Sequence, residues 1–102
     1  MITCLEEDNL DNIINNGIYL LEFYSEDCAS CSFVGPIIES LSEYIDIIKI
    51  DVNKFKYLAD EIYKITVLPE VFIEENGVVK YNFKGYHKRE ELIDAINTLK
   101  NK

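Results

Sequence analysis

The chain has 102 residues, about the length of one domain, with 10 basic and 19 acidic side chains and a formal net charge of −9. No lysine or arginine precedes Lys49, whereas ten of the acids do. Such an acidic field repels nucleic-acid phosphates and anionic lipid head groups, so we expect neither nucleic acid nor a membrane as a partner. The 48% apolar content and twelve Phe and Tyr residues suffice for a core, which argues against a disordered chain.

Short apolar runs alternate with helical patterns in the first half of the chain. Residues 2–5 predict an edge strand, and residues 10–14 have apolar side chains at helical spacing. Residues 18–24 are apolar except for Glu22, which is typical of a central strand covered on both faces. After Cys31, an apolar helical stripe runs from residue 34 to residue 45, with an expected kink at Pro36.

The second half predicts three strands and two helices. In chain order these are a buried strand (47–52), a short helix (55–63), two hairpin strands (70–74 and 78–83) and an amphipathic helix from residue 88 onward. Asn76-Gly77 is a strong hairpin signal between the last two strands. The order β-α-β-α-β-α-β-β-α predicts an α/β fold of a single domain (1–102), whose mixed sheet has helices on both faces.

Three cysteines are an odd number, which excludes a framework made only of disulfides. The first ten residues carry acids where a signal peptide carries bases, so we expect a reducing, cytoplasmic location. Cys4 falls in the first predicted strand and is expected to be a small core residue. His87 lies near the start of the last helix, where a surface or capping role is expected rather than a catalytic one.

Cys28 and Cys31 lie three residues apart, directly after a central strand and at the start of a helix. The helix dipole and unpaired N–H groups favour the thiolate of Cys28, and the spacing places both sulfurs on one side of the first turn. One cysteine can then attack a disulfide and the other can resolve the mixed disulfide. Zinc binding is a weaker alternative, because a closed zinc site needs four ligands and only Cys4 and His87 could join the pair. A further alternative is that the two cysteines are inert.

Residues 23–31, Phe-Tyr-Ser-Glu-Asp-Cys-Ala-Ser-Cys, together with Pro36, resemble the active-site segment of the thioredoxin family. Thr66-Val67-Leu68-Pro69 resembles the family's loop that ends in a cis-proline, and the hairpin turn and Gly85 fall at matching places. The resemblance extends over nearly the whole chain, and it implies the thioredoxin fold.

The resemblance also implies a role for each matching residue. Cys28 is expected to be the exposed nucleophile and Cys31 the more buried resolving thiol. Pro69 is expected to be cis, to present backbone to a bound substrate together with Leu68, and to deny metals access to the thiols. No cofactor is expected beyond the redox-active Cys28–Cys31 pair.

Glu22 is the lone carboxyl group in its apolar strand, and the family has a buried aspartate at the matching position. Burial favours the protonated form, so Glu22 is predicted to exchange a proton with Cys31 during resolution. The alternative is a glutamate at the strand end that points to solvent.

This chain departs from the family pattern around the dithiol. Tyr24 and Asp27 stand where tryptophans are usual, Ala29-Ser30 replaces Gly-Pro, and Glu70 replaces a threonine after the proline. Asp27 opposes thiolate formation at Cys28, which the helix terminus favours, and the sequence leaves the balance open. Glu26, Asp27 and Glu70 either form an acidic docking surface that selects basic or neutral partners, or are only solvated charges.

The leading prediction is an enzyme, a thioredoxin-type reductase of protein disulfides. The resemblance implies disulfide-containing proteins as substrates, a flavin-dependent thioredoxin reductase as the electron donor, and a monomer. A disulfide oxidase or isomerase is an alternative within the enzymes. A thioredoxin-fold binding module without turnover is an alternative outside them.

Overall fold

A computed structural model describes residues 1–102 and contains one five-stranded mixed sheet. The strands are β1 (Ile2–Cys4), β2 (Ile18–Tyr24), β3 (Asp46–Asp51), β4 (Glu70–Glu75) and β5 (Val78–Lys84). Their order across the sheet is β1-β3-β2-β4-β5, with β1, β3 and β2 parallel and the β2–β4 and β4–β5 pairs antiparallel. The predicted mixed sheet, the central place of β2 and the edge position of β1 are therefore confirmed.

The helices are α1 (Leu10–Ile14), α2 (Ala29–Glu39) and α3 (Arg89–Lys100). Helix α2 continues through Pro36, as predicted, and a 3₁₀ turn (Ser40–Glu43) takes over the end of the predicted helical stripe. The short helix expected before β4 is a π-helical turn (Leu58–Ile62). None of these helices is long and apolar enough to cross a membrane.

Two apolar cores lie on opposite faces of the sheet, because successive strand side chains alternate between the faces. The core under α2 and α3 contains twelve buried residues, among them Leu20, Ile47 and Ile73. The core on the other face contains ten, among them Leu21 and Phe23. This double coverage explains why β2 and β3 read as almost continuous apolar runs.

The β4–β5 turn is formed by Asn76 and Gly77, with φ of 53° and 80°. These positive values are the conformation that Asn-Gly pairs favour in two-residue hairpins. The Asn76 side chain also accepts a hydrogen bond from the Gly17 N–H at 2.8 Å, which ties the hairpin to the chain just before β2.

Candidate active site

Cys28 lies at the N-terminal end of α2 because a tight turn follows the central strand. The Cys28 N–H donates to the Ser25 carbonyl at 3.2 Å, and the Asn53 side-chain amide donates to the buried Ser25 hydroxyl at 3.0 Å. Cys28 then takes the N-cap position, with its sulfur accepting the N–H of Cys31 at 3.2 Å. The sulfur thus occupies the place of a capping oxygen, where the helix dipole stabilises negative charge.

The two thiols have opposite acidities. Partial burial acts to raise the pKa of Cys28, but hydrogen bonds from the side chains and backbone amides of Cys31 and Ser30 outweigh it and lower that pKa. Cys31 is 9% exposed, and burial, followed by its hydrogen bond to Cys28, raises its pKa to about 11. Thiolate therefore forms first at Cys28, the more accessible of the two sulfurs.

Ser30 connects the dithiol to the loop before β4. Its hydroxyl lies 3.2 Å from the Cys28 sulfur and donates to the Leu68 carbonyl at 3.0 Å. The Leu68–Pro69 peptide bond is cis, as the resemblance implied. The Leu68 carbonyl group is thereby held beside the dithiol segment, although 38 positions separate Leu68 from Ser30 along the chain.

Glu22 lies on β2, on the sheet face covered by α2, and is 1% exposed. The expectation of a buried carboxyl group is confirmed, and the solvent-facing alternative is wrong. Burial, followed by the negative charge of Glu39, raises the pKa of Glu22 to about 8, against a lowering effect of Lys49. The charge of Glu22 in turn contributes to the raised pKa of Cys31, so the two groups sense each other's ionisation.

The acids expected around the sulfur do not share one environment. Glu26 and Asp27 are exposed on the turn before α2. Glu70 is 2% exposed, and its Oε2 accepts a hydrogen bond from the Asn82 side chain at 2.9 Å. The idea that Glu70 joins an exposed acidic docking surface is wrong, because β4 lies inside the sheet between β2 and β5 and its side chains are covered.

The other two candidate ligands lie apart from the dithiol. Cys4 is exposed, so its expected place in the core is wrong: it ends the short edge strand β1, which has only one neighbouring strand. His87 directly precedes Lys88, the N-cap residue of α3, with Nδ1 3.1 Å from Glu91 Oε2 and Nε2 3.2 Å from the Lys84 carbonyl oxygen. It contacts the side chain of Glu91 in the first turn but does not itself cap the helix. No group of three or more His, Cys, Asp or Glu side chains is arranged to hold a metal ion.

Three residues around Glu22 were not singled out by sequence reasoning, and Ser30 was noted only as part of the unusual dipeptide between the cysteines. Ser30 contacts Cys28, while Glu39, Lys49 and Gly35 surround the carboxyl group of Glu22. One weak indication in the sequence pointed to Lys49, the first base of the chain, because this residue interrupts the apolar run of residues 47–50. Glu39 carried no such signal, since an acid on a helix is ordinarily solvated.

A mixed sheet with a dithiol at the N-terminus of the helix that follows its central strand, beside a cis-proline, defines the class of thioredoxin-fold proteins. The sequence model of the thioredoxin family matches residues 1–98. The chain belongs to the thioredoxin family.

Individual relatives and solved structures agree with this placement. Thioredoxin Y, chloroplastic, of Oryza sativa subsp. japonica is 32% identical over 83 residues, which cover 78% of this chain and 49% of that protein. The chain therefore spans about half the length of the rice relative. A thioredoxin of Chlamydia pneumoniae is 27% identical over 100 residues, with 95% of this chain and 97% of that protein covered.

Among solved structures, a mutant thioredoxin from Halobacterium salinarum NRC-1 superimposes with a TM-score of 0.82 at 25% identity, over 95% of this chain and 88% of that one. Thioredoxin f2 of Chlamydomonas reinhardtii reaches 0.83 at 20% identity, over 100% and 99% of the two chains, a likeness of fold alone. In general terms, family membership supports a thiol–disulfide oxidoreductase.

Proposed function

We propose that this protein reduces protein disulfides by dithiol–disulfide exchange through Cys28 and Cys31. The observation that carries the proposal is the opposite acidity of two neighbouring thiols at one helix terminus. The pKa of Cys28 is lowered by hydrogen bonds to its sulfur, whereas the pKa of Cys31 is raised by burial. Such a pair attacks with one sulfur and keeps the other protonated until it is needed.

The first step is attack of the Cys28 thiolate on one sulfur of a substrate disulfide. The substrate S–S bond breaks, one substrate thiolate leaves with the electron pair, and Cys28 becomes joined to the other substrate sulfur. Glu22 in its ionised form then accepts the proton of Cys31, and the Cys31 thiolate attacks the Cys28 sulfur. The second substrate thiolate leaves, so the substrate has gained two electrons and Cys28–Cys31 has become a disulfide.

The surface around Cys28 is suited to an unfolded or extended substrate segment. Phe33 on α2 is 79% exposed and Val67, just before Leu68, is 43% exposed. Exposed apolar side chains on the helix that carries the dithiol and in the loop that Ser30 contacts favour binding of other proteins. We propose disulfide-containing proteins as substrates and a flavin-dependent thioredoxin reductase as the electron donor, in a reducing compartment that we expect to be the cytoplasm.

Asp27 gives this surface an acidic side, next to the nucleophile. The proposal is that it disfavours acidic partners by like-charge repulsion. Asp27→Lys should raise the rate of reduction of an acidic substrate more than that of a basic one. Equal responses of the two rates would refute a selective role for this charge.

The activity is tested by the turbidity of insulin whose disulfides are reduced in the presence of dithiothreitol. The protein should accelerate precipitation, Cys28→Ser should abolish the acceleration, and Cys4→Ser should leave it unchanged. No acceleration over dithiothreitol alone would refute the reductase and would favour a binding module with the same fold.

The roles of the two thiols are tested by trapping. In Cys31→Ser the mixed disulfide at Cys28 cannot be resolved, so covalent partner complexes that dithiothreitol releases should accumulate. The experiment needs the Cys4→Ser background, because the exposed Cys4 thiol would otherwise form adducts of its own. Complexes that also persist in Cys28→Ser would contradict the assignment of Cys28 as the nucleophile.

A further inference from the structure

A second carboxyl group lies next to Glu22 beneath the dithiol. Glu39, in the last turn of α2, and Glu22 both bring their Oε2 atoms to the space beside Gly35. Two carboxylates have only acceptor atoms and repel each other, so this arrangement favours a proton on one of the two groups. Glu22 is the more deeply buried and the more costly to ionise, and it is therefore the group that holds the proton.

Lys49 holds the partner carboxylate in place. It lies on β3 directly beside Glu22 in the parallel register, and its ammonium nitrogen is 3.2 Å from Glu39 Oε2. The same nitrogen lies 4.8 Å from the centre of the Tyr24 ring, which restricts its position. This charge pair joins the helix to the sheet and fixes the Glu39 carboxyl group beside Glu22.

Gly35 provides the space that the two carboxyl groups occupy. A Cβ atom at this buried helical position would lie 3.2 Å from Glu39 Oε2 and 3.5 Å from Glu22 Oε2. The nearer distance is tighter than an ordinary contact, so a methyl group here would displace the Glu39 carboxylate. Glycine in a helix costs about 1 kcal/mol relative to alanine, and here that cost leaves room for the pair.

We propose that Glu39, held by Lys49 over the gap at Gly35, is a positioning residue that keeps on Glu22 the proton exchanged with the Cys31 thiol. The inference rests on the proposed function for the exchange itself. The titratable groups that face Glu22 are Glu39 and Cys31 from α2 and Lys49 from β3. On β4 its paired neighbour, Val71, is apolar.

The pair is tested directly by carbon-13 NMR titration of the glutamate carboxyl groups, which needs no turnover. In the native chain the Glu39 signal should move in the same pH window in which Glu22 ionises, because a negative charge then forms next to the Glu39 carboxyl group. Glu39→Gln removes the neighbouring negative charge and supplies an amide donor to the Glu22 carboxylate. The ionisation constant of Glu22 should therefore rise about tenfold or more.

Two further variants complete the test. Glu43→Gln removes an exposed charge from the turn that follows α2 and should leave the titration of Glu22 where it is. Gly35→Ala, a substitution that favours the helix, should displace the Glu39 carboxylate. It should therefore shift the Glu22 titration in the same direction as Glu39→Gln does. An unchanged Glu22 titration in both Glu39→Gln and Gly35→Ala would overturn the inference.

The kinetic counterpart uses an aryl disulfide whose thiolate product is coloured, on the Cys4→Ser background. Attack by Cys28 releases the first coloured thiolate, and resolution by Cys31 releases the second. The pH profile of the second release should shift to lower pH in Glu39→Gln while that of the first stays in place. An equal shift of both phases would overturn the role of Glu39. A shifted Glu22 titration with no reduction of insulin would support the carboxyl pair and overturn the proposed function.

Discussion

Replacement of Ser30 by alanine tests how this active site stabilises its thiolate. The Ser30 hydroxyl has one proton and two neighbours, the Cys28 sulfur at 3.2 Å and the Leu68 carbonyl oxygen at 3.0 Å. When Cys28 is a thiol, its S–H can donate to the Ser30 oxygen, and the Ser30 O–H is then free to donate to the Leu68 carbonyl oxygen. When Cys28 is a thiolate, its sulfur can only accept, so it needs the Ser30 O–H as its donor. Ser30→Ala therefore removes a donor to the thiolate, and the pKa of Cys28 should rise.

The size of the effect follows from the exposure of the group. A hydrogen bond to a charged partner contributes about 1.5–3 kcal/mol, and the partial exposure of Cys28 reduces this to about 1 kcal/mol. That free energy corresponds to about a fivefold loss of thiolate below the pKa of Cys28. The more basic thiolate is about twofold more reactive, since nucleophilicity rises with a Brønsted coefficient of about 0.4–0.5. Attack should be about 2.5-fold slower at low pH and about twofold faster at high pH.

The rate of this attack is measured by stopped flow as the rate at which the aryl disulfide releases its first coloured thiolate. The measurement uses the Cys4→Ser background and a series of pH values that spans the ionisation of Cys28. The rate profiles of Ser30→Ala and the native side chain should cross. Ser32→Ala, which removes an exposed hydroxyl from the same turn of α2, should leave the profile unchanged. Profiles that coincide, or that differ by a constant factor at every pH, would refute the reasoning.

Three buried carboxyl groups give predictions for stability. Because the pKa of Glu22 rises from 4.5 to about 8 on folding, its contribution is greatest below pH 4.5 and falls as the pH rises through 8. The native chain should therefore lose up to about 4–5 kcal/mol more than Glu22→Gln over this interval in urea titrations, and equal losses would contradict the assignment. Asn82→Ala leaves the carboxyl group of Glu70 without its 2.9 Å donor and should lower the free energy of unfolding by about 2 kcal/mol; a loss within experimental error would count against it. Tyr63→Phe removes the 2.8 Å hydrogen bond that Tyr63 donates to the carboxyl group of Glu74, whose pKa is already raised by burial. The variant should lower the free energy of unfolding by about 1–3 kcal/mol, and this loss should grow from pH 5 to pH 8 as Glu74 ionises without its donor. A loss that does not depend on pH would argue against the pairing.

The backbone elements could be predicted closely because their signals are local. The apolar run of β2 matches the strand Ile18–Tyr24, and the Asn-Gly pair forms the hairpin turn between β4 and β5. The dithiol segment lies at the helix N-terminus as expected, since a strand, a short turn and an amphipathic stripe follow each other directly in the chain. Apolar periodicity and turn chemistry need no knowledge of distant residues.

The exposure of single polar residues could be predicted only where a pattern surrounded them. Glu22 stood inside an apolar strand, which correctly indicated burial. Cys4 and Glu70 stood at strand ends, where burial depends on the neighbouring strands. The order β1-β3-β2-β4-β5 leaves Cys4 at an edge and covers Glu70, and that order is not written in either local sequence.

The sequence by itself therefore determined the family, the order of elements and the two thiols with their buried carboxyl group. Only the tertiary structure decided which groups act on these thiols. Ser30 meets the Leu68 carbonyl, and the carboxylate of Glu39 meets Glu22 and Lys49, through contacts between α2, the sheet and a distant loop. Acidity in this site depends on distances of about 3 Å between residues far apart in the chain, and such distances are set by strand order and helix packing.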